Sequence, residues 1–298
     1  METAATLLTR RTVHRVQEIT ECIKTSKLWT NILSVKKILP FEIKEIVCYG
    51  LGPVDKLGSI NQTWSHPILG DLAQTRNSIY QLSLLVLLAE LLSCDVHYYD
   101  PLHVKHCVSH RVMEYFGFHA IQDNEHAKRQ VTVPTLFYMP ACPRKLYENL
   151  MEANRKVPWR VAWIGNGINR LGEPWVERIL ISSCPMLYRA NDIATQVHLY
   201  DTKDQENYPS FLIRSTTEGY LPCSRTIAGK LPLHVELTLA FHSHTFVFFP
   251  AEETWQDELS ASEKLGYYNR LPPRARMLVE FIKKPIPPPE QRPKYTRE

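Results

Sequence analysis

Long apolar runs are missing from this chain. The most hydrophobic stretch, Leu82 to Leu92, is broken by Glu90 and falls short of the roughly 20 apolar residues that a bilayer-spanning helix requires, so it reads as a buried helix. Also missing is any Cys-x-x-Cys pair, and the seven cysteines (22, 48, 94, 107, 142, 184 and 223) are odd in number and lie mostly within apolar runs. This excludes a zinc ribbon or a disulfide framework and points to reduced, buried thiols in a cytosolic or nuclear protein. Charge of one sign is not in excess: 35 basic and 31 acidic residues leave +4 at pH 7, spread over both halves. Such a mild balance does not by itself argue for nucleic acid, which is not expected as a partner. No secretory apolar core follows Met1, and Glu2, Glu18 and Glu21 oppose a mitochondrial presequence around Arg10, Arg11 and Arg15. Glycine is scarce, 11 residues in 298, so two glycines spaced one apart at the end of an apolar run carry weight.

That run is Glu45 through Gly52, a short strand that breaks on Gly50-Leu51-Gly52. In α/β proteins a strand that ends this way often turns into a helix whose first amides face an anionic group. Around it the chain alternates. Residues 7–38 have helical periodicity, with Val13, Val16, Ile19 and Ile23 on one face, and Pro40 ends the segment. A polar interval from Gly52 to Asn77 precedes a helix that Asn77 or Ser78 would cap. A second strand, Cys94 to Tyr99, ends on Asp100-Pro101, and a helix over 104–116 closes on Gly117. A third strand over 133–140, a helix from Pro143 to Asn154, a fourth strand over 160–164 and a helix over 173–182 come next. From 185 to 235 the pattern thins, and strand-like runs return at 235–241 and 245–249.

The alternation predicts an α/β fold: a Rossmann-like, mostly parallel sheet with helices on both faces. The expected organisation is an N-terminal helical extension over 1–42, one α/β domain over 43–282, and a disordered, proline-rich basic tail over 283–298. The strict dinucleotide fingerprint is not met. Asp55 stands where a third glycine belongs, and Asp100 follows Gly52 by 48 residues instead of about 20.

The motifs Val47 to Gly52, Tyr80 to Leu85, Tyr98 to Pro101, Thr135 to Pro140, Leu146 to Leu150 and Ile164 to Asn166 occur in an order that resembles the Sensitivity to Red Light Reduced (SRR-like) domain family. The resemblance implies a Rossmann-like fold and a regulatory role of the kind tied to circadian clock input, haem biosynthesis and cytoskeletal drug response in relatives. It settles no catalytic chemistry. Where the family pattern has Pro-His-Cys, this chain has Pro140-Ala141-Cys142, so any role of that histidine is absent.

The carboxyl ends of the strands hold the candidate site. Gly50 and Gly52 would admit a nucleotide or S-adenosyl ligand close to the backbone, Asp100 would accept from ribose hydroxyls, and Asn166 would add an amide contact. Tyr49, Pro140, Cys142 and Gly165 complete the crevice. Each has a plainer alternative as a turn or core residue in an empty scaffold. Cys142 precedes a helix start, where the dipole would lower its pKa, yet no base neighbours it, which favours a structural cysteine. His103, Cys107 and His110 share a helical spacing that suits zinc but lack a fourth ligand, so no metal is assigned. His242 and His244 alternate onto one strand face, a placement that allows paired chemistry but more often marks a solvated or partner-facing edge. No acid, base and nucleophile converge among the motifs. The expected function is therefore regulatory, through protein partners, with a group-transfer enzyme using an S-adenosyl or nucleotide cofactor as the alternative.

Overall fold

The computed structural model describes residues 3–54, 69–103, 107–140, 142–168, 183–199, 237, 240–241 and 244–249. Helix α1 (Ala4–Lys24) starts where the Thr3 hydroxyl accepts the Thr6 amide at 3.2 Å. Helix α2 (Lys27–Ile38) repeats the device with Ser26, which accepts from the Trp29 amide at 3.3 Å. Val13, Val16, Ile19 and Ile23 of α1, and Leu28, Ile32 and Val35 of α2, are buried, so the helical spacing of apolar residues becomes the packed face.

Helix α3 (Leu69–Leu92) is buried all round over residues 78–88, and the reason is its position between two layers. On one side the Ser83 hydroxyl donates to the Val16 carbonyl of α1 at 3.1 Å. On the other, the Tyr138 hydroxyl donates to the Gln81 carbonyl at 3.0 Å, which seats the helix on the sheet. The segment expected as an N-terminal extension thus contributes to the same apolar cluster as the strands.

The described strands form one sheet in the order β3-β2-β1-β4-β5-β7-β6. They are β1 (Glu45–Tyr49), β2 (Val96–Tyr99), β3 (His119–Ala120), β4 (Thr135–Met139), β5 (Val161–Asn166), β6 (Thr195–His198) and β7 (His244–Phe248). The first five in that order pair in parallel, and β7 runs antiparallel to both β5 and β6. The fold is therefore α/β with a mostly parallel mixed sheet. Alternation sorts the strand residues onto two cores. Ile46, Cys48, Leu136, Tyr138, Ala162 and Ile164 face the cluster shared with α1 and α3. Val47, Tyr49, Phe137, Met139, Val161 and Trp163 face the cluster of α5 (Arg144–Ala153) and α6 (Pro185–Ile193). Burial on both faces explains why these strands read as continuous apolar runs.

Several elements differ from expectation. Helix α3 begins at Leu69, so the polar connection after the glycine turn is shorter than the sequence indicates. Strand β6 and helix α6 occupy a stretch without clear periodicity. Helix α6 depends on a distant residue, because the buried Glu148 carboxylate accepts the Met186 and Leu187 amides at 3.1 and 2.8 Å. Within the run read as a strand over 235–241, Leu237, Ala240 and Phe241 are helical and buried. Their spacing of three and four residues serves a helix face as well as a strand. His244 is 3% exposed on an interior strand, not on an open edge. The expected helix over 173–182 and the tail over 283–298 lie outside the described residues.

If α1 belongs to the core, truncating it there is costly. Ile23, fully buried, should lose about 2–5 kcal/mol on Ile23→Ala in urea denaturation. Leu7→Ala, at a position 40% exposed, should cost less than about 0.5 kcal/mol. Equal, small losses at both positions would show that α1 is dispensable to the fold.

Candidate functional site

The parallel register sets four strand ends side by side. Tyr49 pairs with Tyr99, Cys48 with Tyr138, and Met139 with Gly165, so the turns leaving β1, β2, β4 and β5 converge at one edge of the sheet. All eight residues proposed from the sequence, Tyr49, Gly50, Gly52, Asp100, Pro140, Cys142, Gly165 and Asn166, lie at this edge.

The glycine turn is clamped to the end of β2. Gly50 and Gly52 take φ of +68° and +80°, values that a side chain strains against. The Gly50 amide donates to the Tyr99 carbonyl at 3.3 Å, and the Gly52 amide donates to Asp100 Oδ2 at 2.7 Å. Asp100 Oδ1 accepts the Leu102 amide at 2.8 Å, forming a turn of the kind aspartates make with a backbone amide two residues on. Asp100 is buried, and both its oxygens are oriented by main-chain donors. His103 Nε2 lies 2.8 Å from the Gly52 carbonyl, an acceptor only, so Nε2 carries a proton and donates it to the turn. The Val54 amide donates to the Ser109 hydroxyl of α4 (Val108–Tyr115) at 3.0 Å, which ties the far end of the turn to a helix.

The other half is built around Cys142 and Tyr147. The Cys142 thiol donates to the Tyr49 carbonyl at 3.3 Å, and the Asn166 side-chain amide donates to the Cys142 carbonyl at 3.1 Å. The Tyr147 hydroxyl donates to the Met139 carbonyl at 2.6 Å while accepting the Asn166 amide at 2.9 Å. This hydroxyl bridges the ends of β4 and β5. Gly165 is required there, because a Cβ would strike both the Tyr147 hydroxyl and the Met139 carbonyl. Pro140 is buried between β4 and Cys142. Tyr49 contributes its carbonyl to the crevice, whereas its ring points into the second core and its hydroxyl bonds Glu125. Glu125 also holds Arg129, whose guanidinium reaches Glu45 Oε1 at 2.7 Å.

Electrostatics oppose an activated thiol. Burial, with the Asp100 charge added, pushes the Cys142 thiol up to about 12, so desolvation outweighs the effect of the helix start beside it. Burial also raises Tyr147 and Cys48. His103, Cys107 and His110 do not share one helix. Cys107 caps α4, its sulfur accepting the His110 amide at 3.3 Å, and His103 precedes the helix. Among the described residues no three His, Cys, Asp or Glu side chains could hold a metal ion. Sequence reasoning missed Tyr147, His103 in its role on the glycine turn, and Ser109. Tyr147 lies in the Leu146 to Leu150 motif, and its place early in α5, just after β4, was the available signal.

Beside Asp100 a cleft of about 670 Å³ opens along the ends of β2 and β3, walled by Tyr98, Tyr99, His103, His110, Glu114 and residues 117–122. The Tyr98 hydroxyl pairs with His110 Nδ1 at 2.5 Å, and His110 Nε2 lies 3.3 Å from Glu114.

Two measurements test this geometry. Gly50→Ala should cost about 1–3 kcal/mol, because it strains a positive φ and brings a Cβ within 2.8 Å of the Cys142 sulfur. Combining it with Cys142→Ala should relieve the steric part, so the double variant loses less than the sum of the singles. Alkylation followed by mass spectrometry should modify the exposed Cys22 and spare native Cys142 between about pH 7 and pH 9. The sign comes from the raised value: the native thiol holds its proton while an unfolded thiol ionises near 8.5. The stability that this proton preference contributes is complete below about pH 8.5 and is lost as pH rises toward about 12. Rapid modification of native Cys142 at pH 8 would contradict the burial argument.

The SRR1 domain family matches residues 29–253, from within α2 to beyond β7. The chain is 30% identical to a Mus musculus SRR1-like protein over 194 residues, 61% of this chain and 69% of that protein. It is 28% identical over 110 residues to the Arabidopsis thaliana Protein SENSITIVITY TO RED LIGHT REDUCED 1, covering 35% of this chain and 39% of that one. No solved structure matches. With the glycine turn, the Asp100 clamp and the Tyr147 bridge all inside the matched span, this chain belongs to the SRR1 domain family.

Proposed function

We propose that this chain is a regulatory protein of the SRR1 family, cytosolic or nuclear, that acts through protein partners and uses the crevice to bind a small molecule without turning it over. The observation that carries this is the state of the crevice's chemically capable groups. The Cys142 thiol donates to Tyr49, the Tyr147 hydroxyl donates to Met139, and both Asp100 oxygens are engaged by main-chain amides. No activated nucleophile with a base beside it stands among the described residues at the strand ends, whereas nucleophilic catalysis needs such a pair. The Arabidopsis relative is named for reduced sensitivity to red light, which fits a light- or rhythm-linked role, and the family resemblance adds haem biosynthesis as a second setting. Among the described residues no helix is long and apolar enough to cross a membrane.

One observation favours a second reading, a methyltransferase-like group-transfer enzyme using an S-adenosyl or nucleotide cofactor. A parallel block β3-β2-β1-β4-β5, extended by a reversed β7 between β5 and β6, is an order shared with Rossmann-like methyltransferases, and an acid follows β2. This is analogy at the level of the fold.

Two assays separate the readings. Deleting the gene should shift the period or amplitude of light-entrained rhythms, and re-expression of the full chain should restore them. Unchanged rhythms and light responses would count against the regulatory reading. Incubating the purified chain with radiolabelled S-adenosylmethionine and protein or small-molecule fractions of its host should leave the label untransferred. Transfer that disappears in an Asp100→Asn variant would establish the enzyme instead.

A further inference from the structure

We propose that the cleft beside Asp100 takes a phosphate-free nucleoside, neutral or cationic, such as adenosine or an adenosyl sulfonium, and discriminates against phosphate-bearing nucleotides. The proposal rests on the reading of the crevice as a ligand site and names the chemistry that fits it.

The volume, about 670 Å³, lies within the range of roughly 300–1,000 Å³ typical of small-molecule pockets. Its charge is one-sided. Asp100 and Glu114 line it, and among the described residues neither lysine nor arginine does. Of the three lining imidazoles, His110 is engaged with Tyr98 and Glu114, His103 with the Gly52 carbonyl, and the exposed His119 lies against the His97 ring. Among the described lining residues a phosphate would meet two carboxylates and no lysine or arginine, while a sulfonium would be attracted.

The glycine turn reinforces this exclusion. A phosphate cradle presents unspent amides to the ligand. Here the Gly50, Gly52 and Val54 amides donate to Tyr99, Asp100 and Ser109, and Pro53 has no N–H. The turn resembles a phosphate loop in sequence, but these three donors are used to hold the loop against β2 and α4.

The groups left over suit hydroxyls and a flat base. Each Asp100 oxygen accepts one main-chain amide and keeps a second acceptor position, so a held carboxylate offers two adjacent acceptors to a vicinal diol. His103 stands in the cleft wall with its Nε2 on the Gly52 carbonyl, and its Nδ1 is buried with no hydrogen-bond partner among the described residues. Beyond them Tyr98, Phe118 and Ile121 give apolar wall against which a base can lie, with the Gln122 amide at its edge.

The test is titration of the full chain with adenosine, S-adenosylmethionine, ATP and NAD, read by calorimetry and thermal shift. Adenosine or S-adenosylmethionine at about 100 times its Kd should raise Tm by about 5 °C or more, with ATP and NAD binding at least about tenfold more weakly. Asp100→Asn, which keeps the size of the side chain but replaces one of its two amide-accepting oxygens with a donor, should weaken binding by about tenfold or more. Ile121→Trp, which fills the cleft from its rim, should abolish it while leaving circular dichroism unchanged. ATP or NAD binding as tightly as the phosphate-free probes would overturn this proposal and leave the crevice a ligand site. Binding that survives Ile121→Trp would place the ligand elsewhere and also overturn it. No binding by any probe would sink the ligand-site reading along with it.

Discussion

The Asp100 carboxylate joins the two strands on which the rest of the sheet edge depends. One oxygen holds the amide of Gly52 at the end of β1, and the other holds the amide of Leu102 after β2. The underlying constraint is general. Strand ends in a sheet covered on both faces leave main-chain donors and acceptors without ladder partners, and burial without partners is expensive. The protein meets this with a few side chains that reach across from the next strand end: Asp100 for β1, Cys142 for the Tyr49 carbonyl, and Tyr147 for Met139 and Asn166. Glu148 applies the same solution to the start of α6.

These bridges explain residue choices that otherwise look unrelated. Glycine stands at 165 because the Tyr147 hydroxyl occupies the space a Cβ would need, and at 50 because the backbone turns through positive φ against the Cys142 sulfur. Cys142 keeps its proton because it is needed as a donor in a dry site. A nucleophile would require the opposite environment. The crevice is thus rigid and internally satisfied around β1, β4 and β5, and open and polar beside β2 and β3. That asymmetry separates the half that holds the sheet edge together from the half with room for a ligand.

Much of the architecture was legible in the chain. The apolar spacing of Val13, Val16, Ile19 and Ile23 marked α1, and the uninterrupted apolar run over residues 84–89 marked a buried helix. The strands at β1, β4 and β5 were readable because a two-sided burial writes itself as a continuous apolar run, and β2 was readable from its short β-prone run ending on Asp100-Pro101. The elements that escaped have tertiary causes. Strand β3 is two residues long, too short for any period. Helix α6 takes its cap from Glu148, 38 residues upstream of Met186, which no local pattern reveals. The run at 235–241 carried apolar residues at spacings that fit either a helix or a strand, and packing decided the matter.

The candidate site divides in the same way. Composition and order alone placed Gly50, Gly52, Asp100, Cys142, Gly165 and Asn166 at strand ends, because glycines, an Asp-Pro step and a Pro-flanked cysteine punctuate apolar runs. That the chain is α/β, and that its strand ends meet at one edge, was therefore determined by local chemistry. Only the tertiary structure decided what those residues hold: whether the turn's amides face outward or inward, whether a thiol before a helix start is ionised or dry, and which side of Asp100 is open. Those outcomes depend on partners 48 or more residues away, such as Asp100 for Gly52 and Tyr49 for Cys142, and on the burial that their meeting creates.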